Sequence, residues 1–129
     1  LVEGEGFAEA LNLVIQWGEE VIRHPVKATG TLQALFQSGQ EKWAFDLLLL
    51  WIRDLLLVQM QQHELLAFVE YRPQLTQQAG QWPQERLLFF LERFFGLQRL
   101  KKNNLNLQLA VEEIMFASWQ ERDTERFSG

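Results

Sequence analysis

Apolar residues recur at a helical period along most of the chain. Between Phe7 and Arg23 they fall on one side of a 3.6-residue period and polar residues fall on the other, which predicts an amphipathic helix. Gly18 lies on the apolar side, where the missing side chain lets another helix approach closely. Pro25 ends this helix, because the residue before a proline disfavours the helical conformation. A second, shorter helix follows from about Val26 to Gln37.

The third segment, from about 41 to 60, is apolar nearly all round. Its longest uninterrupted apolar run is Leu47 to Ile52, and Asp46, Arg53 and Asp54 interrupt the rest. A membrane span needs about 20 mainly apolar residues and charges at its centre are costly. We therefore predict a buried helix at the centre of a soluble, cytoplasmic domain, with no membrane contact.

Two more helices are predicted towards the C-terminus. One runs from Gln84 to about Lys101, and the other from Asn104 or Asn106 to about Glu121 or beyond. The apolar run from Leu65 to Tyr71 fits either a helical turn or a strand. Because no convincing pair of strands is present, the pattern predicts an all-α fold, an irregular bundle of about five main helices.

The composition supports this fold and limits the function. A chain of 129 residues has the size of one domain, so we treat 1–129 as a single helical domain. It has 23 Leu and no Cys, which excludes disulfides, thiol nucleophiles and Cys-bound zinc. The net charge of −5 disfavours nucleic-acid binding, since that binding depends on Lys and Arg. The N-terminus lacks a signal-peptide pattern, and we expect it to be the cut end of a longer protein.

No set of residues predicts catalysis, a cofactor site or a metal site. His24 and His63 stand alone, and no serine lies in a nucleophile motif. No glycine-rich phosphate loop is present. We therefore expect a domain that is not an enzyme.

Five apolar residues fall outside the main apolar faces of the last two helices. In the fourth helix, residues such as Leu88, Phe90 and Phe95 make up the apolar half. The five exceptions lie on the opposite, polar sides of the two helices: Phe89, Leu100, Leu109, Phe116 and Trp119. Since large exposed apolar patches are unusual in monomers, these residues are the candidate subunit interface. The alternative is that the helices are rotated by a few residues from the predicted phase.

Two short motifs carry a resemblance to a known family. An Arg53-Asp54 pair is embedded in the apolar third helix, and an Asn104-x-Asn106 cap leads into an apolar helix that includes Glu112. In this order, about 50 residues apart, they resemble the C-terminal collar domain of bacterial DNA polymerase III clamp-loader subunits, most of all delta prime. Leu107 departs from the pattern, since many members have Pro there.

The resemblance implies a role in assembly. Members of the family carry two N-terminal domains of AAA+ type, and the helical domains of five subunits pack in a collar that supports loading of the sliding clamp. The implied partners are other clamp-loader subunits, with no direct nucleic-acid contact in this fragment. Outside such a ring, the fragment can associate with itself. A gamma/tau-type subunit and an unrelated helical ligand-binding regulatory domain remain as alternatives.

The motif residues also allow a structural hypothesis. A buried arginine needs an acceptor, so we expect Arg53 to contact the start of the last helix, with Glu112 or Glu113 as its carboxylate. Removing one partner of such a buried pair costs about 3–5 kcal/mol.

Overall fold

The computed structural model describes residues 5–37, 41–100 and 106–128, and these residues form six α-helices and no strand. The all-α prediction is thus confirmed, with one more helix than the five expected. The helices are α1 (Glu5–Arg23), α2 (Pro25–Gln37), α3 (Glu41–Gln59), α4 (Arg72–Ala79), α5 (Gln84–Leu100) and α6 (Leu107–Ser128). Helix α6 continues past Glu121 to Ser128, in agreement with a predicted end at Glu121 or beyond.

Helix α3 is the centre of the bundle, as predicted. It contacts α1, α2, α4 and α5. Trp51, Ile52 and Leu55 have no exposed surface. A helix that is apolar all round must be surrounded by others, so its sequence fixes its central position.

Helices α1 and α2 form a hairpin against α3. Ala10, Leu11, Val14 and Trp17 on one side of α1 are fully buried, which confirms the amphipathic pattern. The break between the helices falls at His24, directly before Pro25.

The segment between α3 and α5 contains no strand. Leu65 to Tyr71, which the sequence left ambiguous, includes parts of two short 3₁₀ turns, His63–Leu65 and Val69–Tyr71. At the end of α3, the Gln59 side chain donates to the carbonyls of Ala79 (3.0 Å) and Trp82 (2.7 Å). These bonds hold the segment after α4 against α3.

A close contact between α1 and α4 depends on Gly18. A Cβ atom at Gly18 would lie 2.0 Å from Oε1 of Gln78. The buried Gln78 side chain accepts from Trp51 Nε1 (2.7 Å) and donates to the Ile15 carbonyl (3.0 Å), so it connects α3, α4 and α1. The predicted close approach at Gly18 is confirmed.

Candidate subunit interface

Asp54 fixes the connection that follows α3. Its carboxylate is fully buried and accepts hydrogen bonds from the backbone N–H groups of Ala67 (3.1 Å) and Phe68 (2.9 Å). Burial raises the pKa of Asp54 above its ordinary value, although the two N–H groups and the Arg53 charge act in the opposite direction. Asp54 is therefore a structural residue.

Arg53 contacts the same connection. Its guanidinium donates to Asp54 Oδ1 (3.2 Å) and to the Leu65 carbonyl (3.2 Å). The expected contact with Glu112 or Glu113 is wrong, since these two acceptors lie on α3 and in the connection. The side chain is also 38% exposed, so Arg53 does not need a carboxylate from α6 to offset burial.

The second motif forms the start of α6. Oδ1 of Asn106 accepts from the Leu109 N–H (3.0 Å), as an N-cap residue does. Glu112 lies one turn further on and accepts from Gln108 (3.4 Å). Asn104 lies outside the described residues. The two motifs thus fix separate parts of the domain.

The five candidate interface residues differ in exposure. Leu100 (51%), Leu109 (51%) and Phe116 (48%) are exposed. Phe89 and Trp119 are half-buried and pack against the core. The ring of Phe89 lies under the Arg93 guanidinium (4.7 Å), and Trp119 contacts Phe116 edge to face (5.1 Å).

Two residues of α5 lie outside the buried half to which the sequence pattern assigned them. Leu88 (49%) and Phe95 (48%) were assigned to the buried half of the helix, but they are exposed. They are seven residues apart and therefore lie on one stripe, together with Glu92 and Arg99. Phe90, Leu91 and Phe94 of the predicted apolar half are buried, so the buried face of α5 is narrower than predicted and leaves Leu88 and Phe95 outside it.

A groove runs between α5 and α6. It is open to solvent and has a volume of ≈ 790 Å³. Small residues from both helices line it, Gly96 from α5 and Ala110 and Ala117 from α6. Leu100 is one of the residues that line the groove. Glu113 also lines it and lies on the same stripe of α6 as Leu109 and Phe116, so these two residues are next to the groove.

We call this groove, together with its exposed apolar neighbours, the α5–α6 surface. The neighbours are Leu88, Phe95, Leu100, Leu109 and Phe116. Other exposed apolar residues, such as Val26 and Val69, lie on α2 and on the connection after α3. Large apolar side chains on two adjacent helices, beside a groove, are typical of a surface that another protein covers.

Among the described residues, no helix has both the length and the hydrophobicity needed to cross a membrane. Within the same residues, His, Cys, Asp and Glu side chains form no group of three or more that could hold a metal ion.

The structure is an all-α domain with an exposed apolar surface on α5 and α6, and comparison with known families identifies the family to which it belongs. The family described as "DNA polymerase III, delta subunit, C terminal" matches residues 26–120. That is most of the chain, and the chain therefore belongs to this family. No curated protein and no solved structure matches it significantly. The family membership places the domain in the clamp loader of DNA replication.

Proposed function

We propose that this chain is the collar domain of a clamp-loader subunit of delta prime type. In this role it packs beside the helical domains of other subunits in a five-membered collar. The observation that carries the proposal is the α5–α6 surface of a domain that belongs to the delta C-terminal family. Exposed Leu109 and Phe116 would be buried by a neighbouring subunit.

In this proposal the domain acts in assembly, in the cytoplasm. It catalyses no reaction, binds no cofactor and makes no contact with nucleic acid. ATP binding and DNA contacts belong, in this proposal, to N-terminal domains of AAA+ type. The net charge of −5 fits a domain placed away from DNA.

The motifs favour a delta prime type over a gamma/tau type. Arg53, Asp54 and Asn106 occupy the positions that carry the resemblance, and each fixes a turn or a helix end in this fold. The sequence upstream of the domain distinguishes the two types. An intact phosphate loop with its Lys and Ser/Thr would assign the chain to gamma/tau.

A helical ligand-binding domain is the second candidate. Such a domain would need an enclosed apolar cavity with a few converging polar groups. The groove between α5 and α6 is open instead, and the aromatic residues Trp17, Phe90 and Phe94 pack against one another in the core. These features favour assembly over ligand binding.

The test is association with the other clamp-loader subunits of the same organism, measured by size-exclusion chromatography. We expect this chain to co-elute with them, and a Leu109→Ser/Phe116→Ser variant to co-elute less. A matched control, Val26→Ser, changes an exposed apolar residue outside the surface. If the unaltered chain elutes alone under all mixing conditions, the proposal is wrong.

A further inference from the structure

We infer that the groove between α5 and α6 binds one amphipathic helix of a neighbouring clamp-loader subunit. This inference rests on the proposed function and specifies the occupant. The helix would place an apolar ridge in the groove, a basic side chain near Glu113, and an acidic side chain near Arg99.

The dimensions of the groove fit a helix. From Glu92 to Leu100 the lining spans nine residues of α5, and the eight steps between them, at about 1.5 Å each, give roughly 12 Å, or about two helical turns. Ala110 and Ala117 span a similar length of α6. The groove is therefore long enough for about two turns of a helix.

Gly96 allows the occupant to come close. A Cβ atom added at Gly96 would meet nothing within 4 Å, so the space beside it is empty. Glycine is unfavourable in a helix interior relative to alanine. No contact within the described part of the domain requires glycine here, in contrast to Gly18. The empty space is consistent with a helix from another chain lying against this position.

The charges along the groove indicate the chemistry of the occupant. Arg93 is already engaged, since its guanidinium lies over Phe89 and 3.9 Å from Glu92. Arg99 and Glu113 are exposed and form no ion pair with any residue the structure describes. A partner helix with complementary charges would pair with both, and such pairs set orientation and association rate.

Filling the groove tests the inference. Gly96→Leu places a side chain in the empty space, and Gly30→Leu is a matched control because a Cβ atom at Gly30 also meets nothing within 4 Å, on α2. We expect both variants to keep the helical content of the unaltered chain and to be at least as stable to heat, because glycine is unfavourable in a helix interior. For the purified gamma/tau-type subunit of the same organism, Gly96→Leu should raise the Kd by at least about tenfold. Gly30→Leu should leave the Kd unchanged.

A charge variant gives a second test that does not depend on side-chain volume. Glu113→Lys should raise the Kd about three- to tenfold and change its salt dependence, whereas Glu9→Lys on α1 should not. If Gly96→Leu and Glu113→Lys bind like the unaltered chain, the groove is not the binding site, although the proposed function stands. If Gly96→Leu instead abolishes only self-association of this chain, the occupant is a second copy and the inference is overturned.

Discussion

The Gly18–Gln78 contact leads to an unusual prediction about helix stability. Replacing glycine by alanine in a helix interior ordinarily stabilises the helix by about 1 kcal/mol. Gly18→Ala should do the opposite, because its Cβ atom would lie 2.0 Å from Gln78 Oε1. Such contacts are not found below 3.0 Å, so the amide oxygen must move by about 1 Å.

The cost follows from the hydrogen bonds of Gln78. A displacement of about 1 Å lengthens the 2.7 Å bond from Trp51 beyond the hydrogen-bond range and disturbs the 3.0 Å bond to the Ile15 carbonyl. Leaving buried polar groups unpaired costs about 1–3 kcal/mol each. After subtraction of the gain in helix propensity, the free energy of unfolding should fall by about 3 kcal/mol, within a range of about 1–5.

Urea unfolding followed by circular dichroism and tryptophan fluorescence measures this change. Gly30→Ala is the control and should raise the free energy of unfolding by about 0.5–1 kcal/mol, since the space beside Gly30 is empty. In a Gln78→Ala background, Gly18→Ala should be neutral or stabilising because the obstructing side chain is gone. If Gly18→Ala stabilises the unaltered chain as much as Gly30→Ala does, the proposed steric cause is refuted.

Three further predictions concern the two motifs. Asp54→Asn should lower the free energy of unfolding by about 1–3 kcal/mol, because the new amide NH₂ group would face a backbone N–H that the carboxylate accepts from in the unaltered chain. Hydrogen exchange at the Ala67 and Phe68 amides should become faster in this variant, and unchanged exchange would contradict the structural role of Asp54. The folded-state pKa of Asp54 lies above its unfolded value, so the stability that Asp54 contributes should increase as the pH falls from the raised pKa towards the ordinary one. In unfolding titrations, the difference in free energy of unfolding between the unaltered chain and Asp54→Asn should therefore be larger at acidic than at neutral pH. A smaller difference at acidic pH would contradict the shift in pKa. Asn106→Ala should cost about 1 kcal/mol through loss of the α6 cap while Asn106→Asp costs less, which thermal unfolding can check; equal losses in the two variants would exclude capping as the cause.

The sequence was sufficient for the parts of the fold that depend on hydrophobic periodicity. The all-round apolar pattern of α3 predicted a central helix, and Pro25 predicted the break after α1. Gly18 predicted a close approach, because an apolar position without a side chain leaves room for a neighbour.

Which residues of α5 are buried depends on tertiary packing. In α5, four phenylalanines and five leucines lie within 17 residues, so several helix phases bury similar apolar area. The core selects the phase in which Phe90 packs against Trp82 (5.4 Å), and this leaves Leu88 and Phe95 exposed. The spacing of seven residues between Leu88 and Phe95 was the available signal for a second stripe.

The partner of Arg53 could not be derived from spacing along the chain either. The nearest acceptors come from the adjacent Asp54 and from an irregular connection whose path is set by Asp54 itself. Because Arg53 is 38% exposed, its loss should cost less than the 3–5 kcal/mol expected for a fully buried pair.

The central claim is that this domain assembles with other clamp-loader subunits through its α5–α6 surface. Cryo-electron microscopy of a clamp loader reconstituted with the chain tests it most directly. We expect Leu109 and Phe116 to be buried against a neighbouring helical domain, with one helix of that neighbour lying beside Gly96. An assembled complex in which these three residues face solvent would contradict the account.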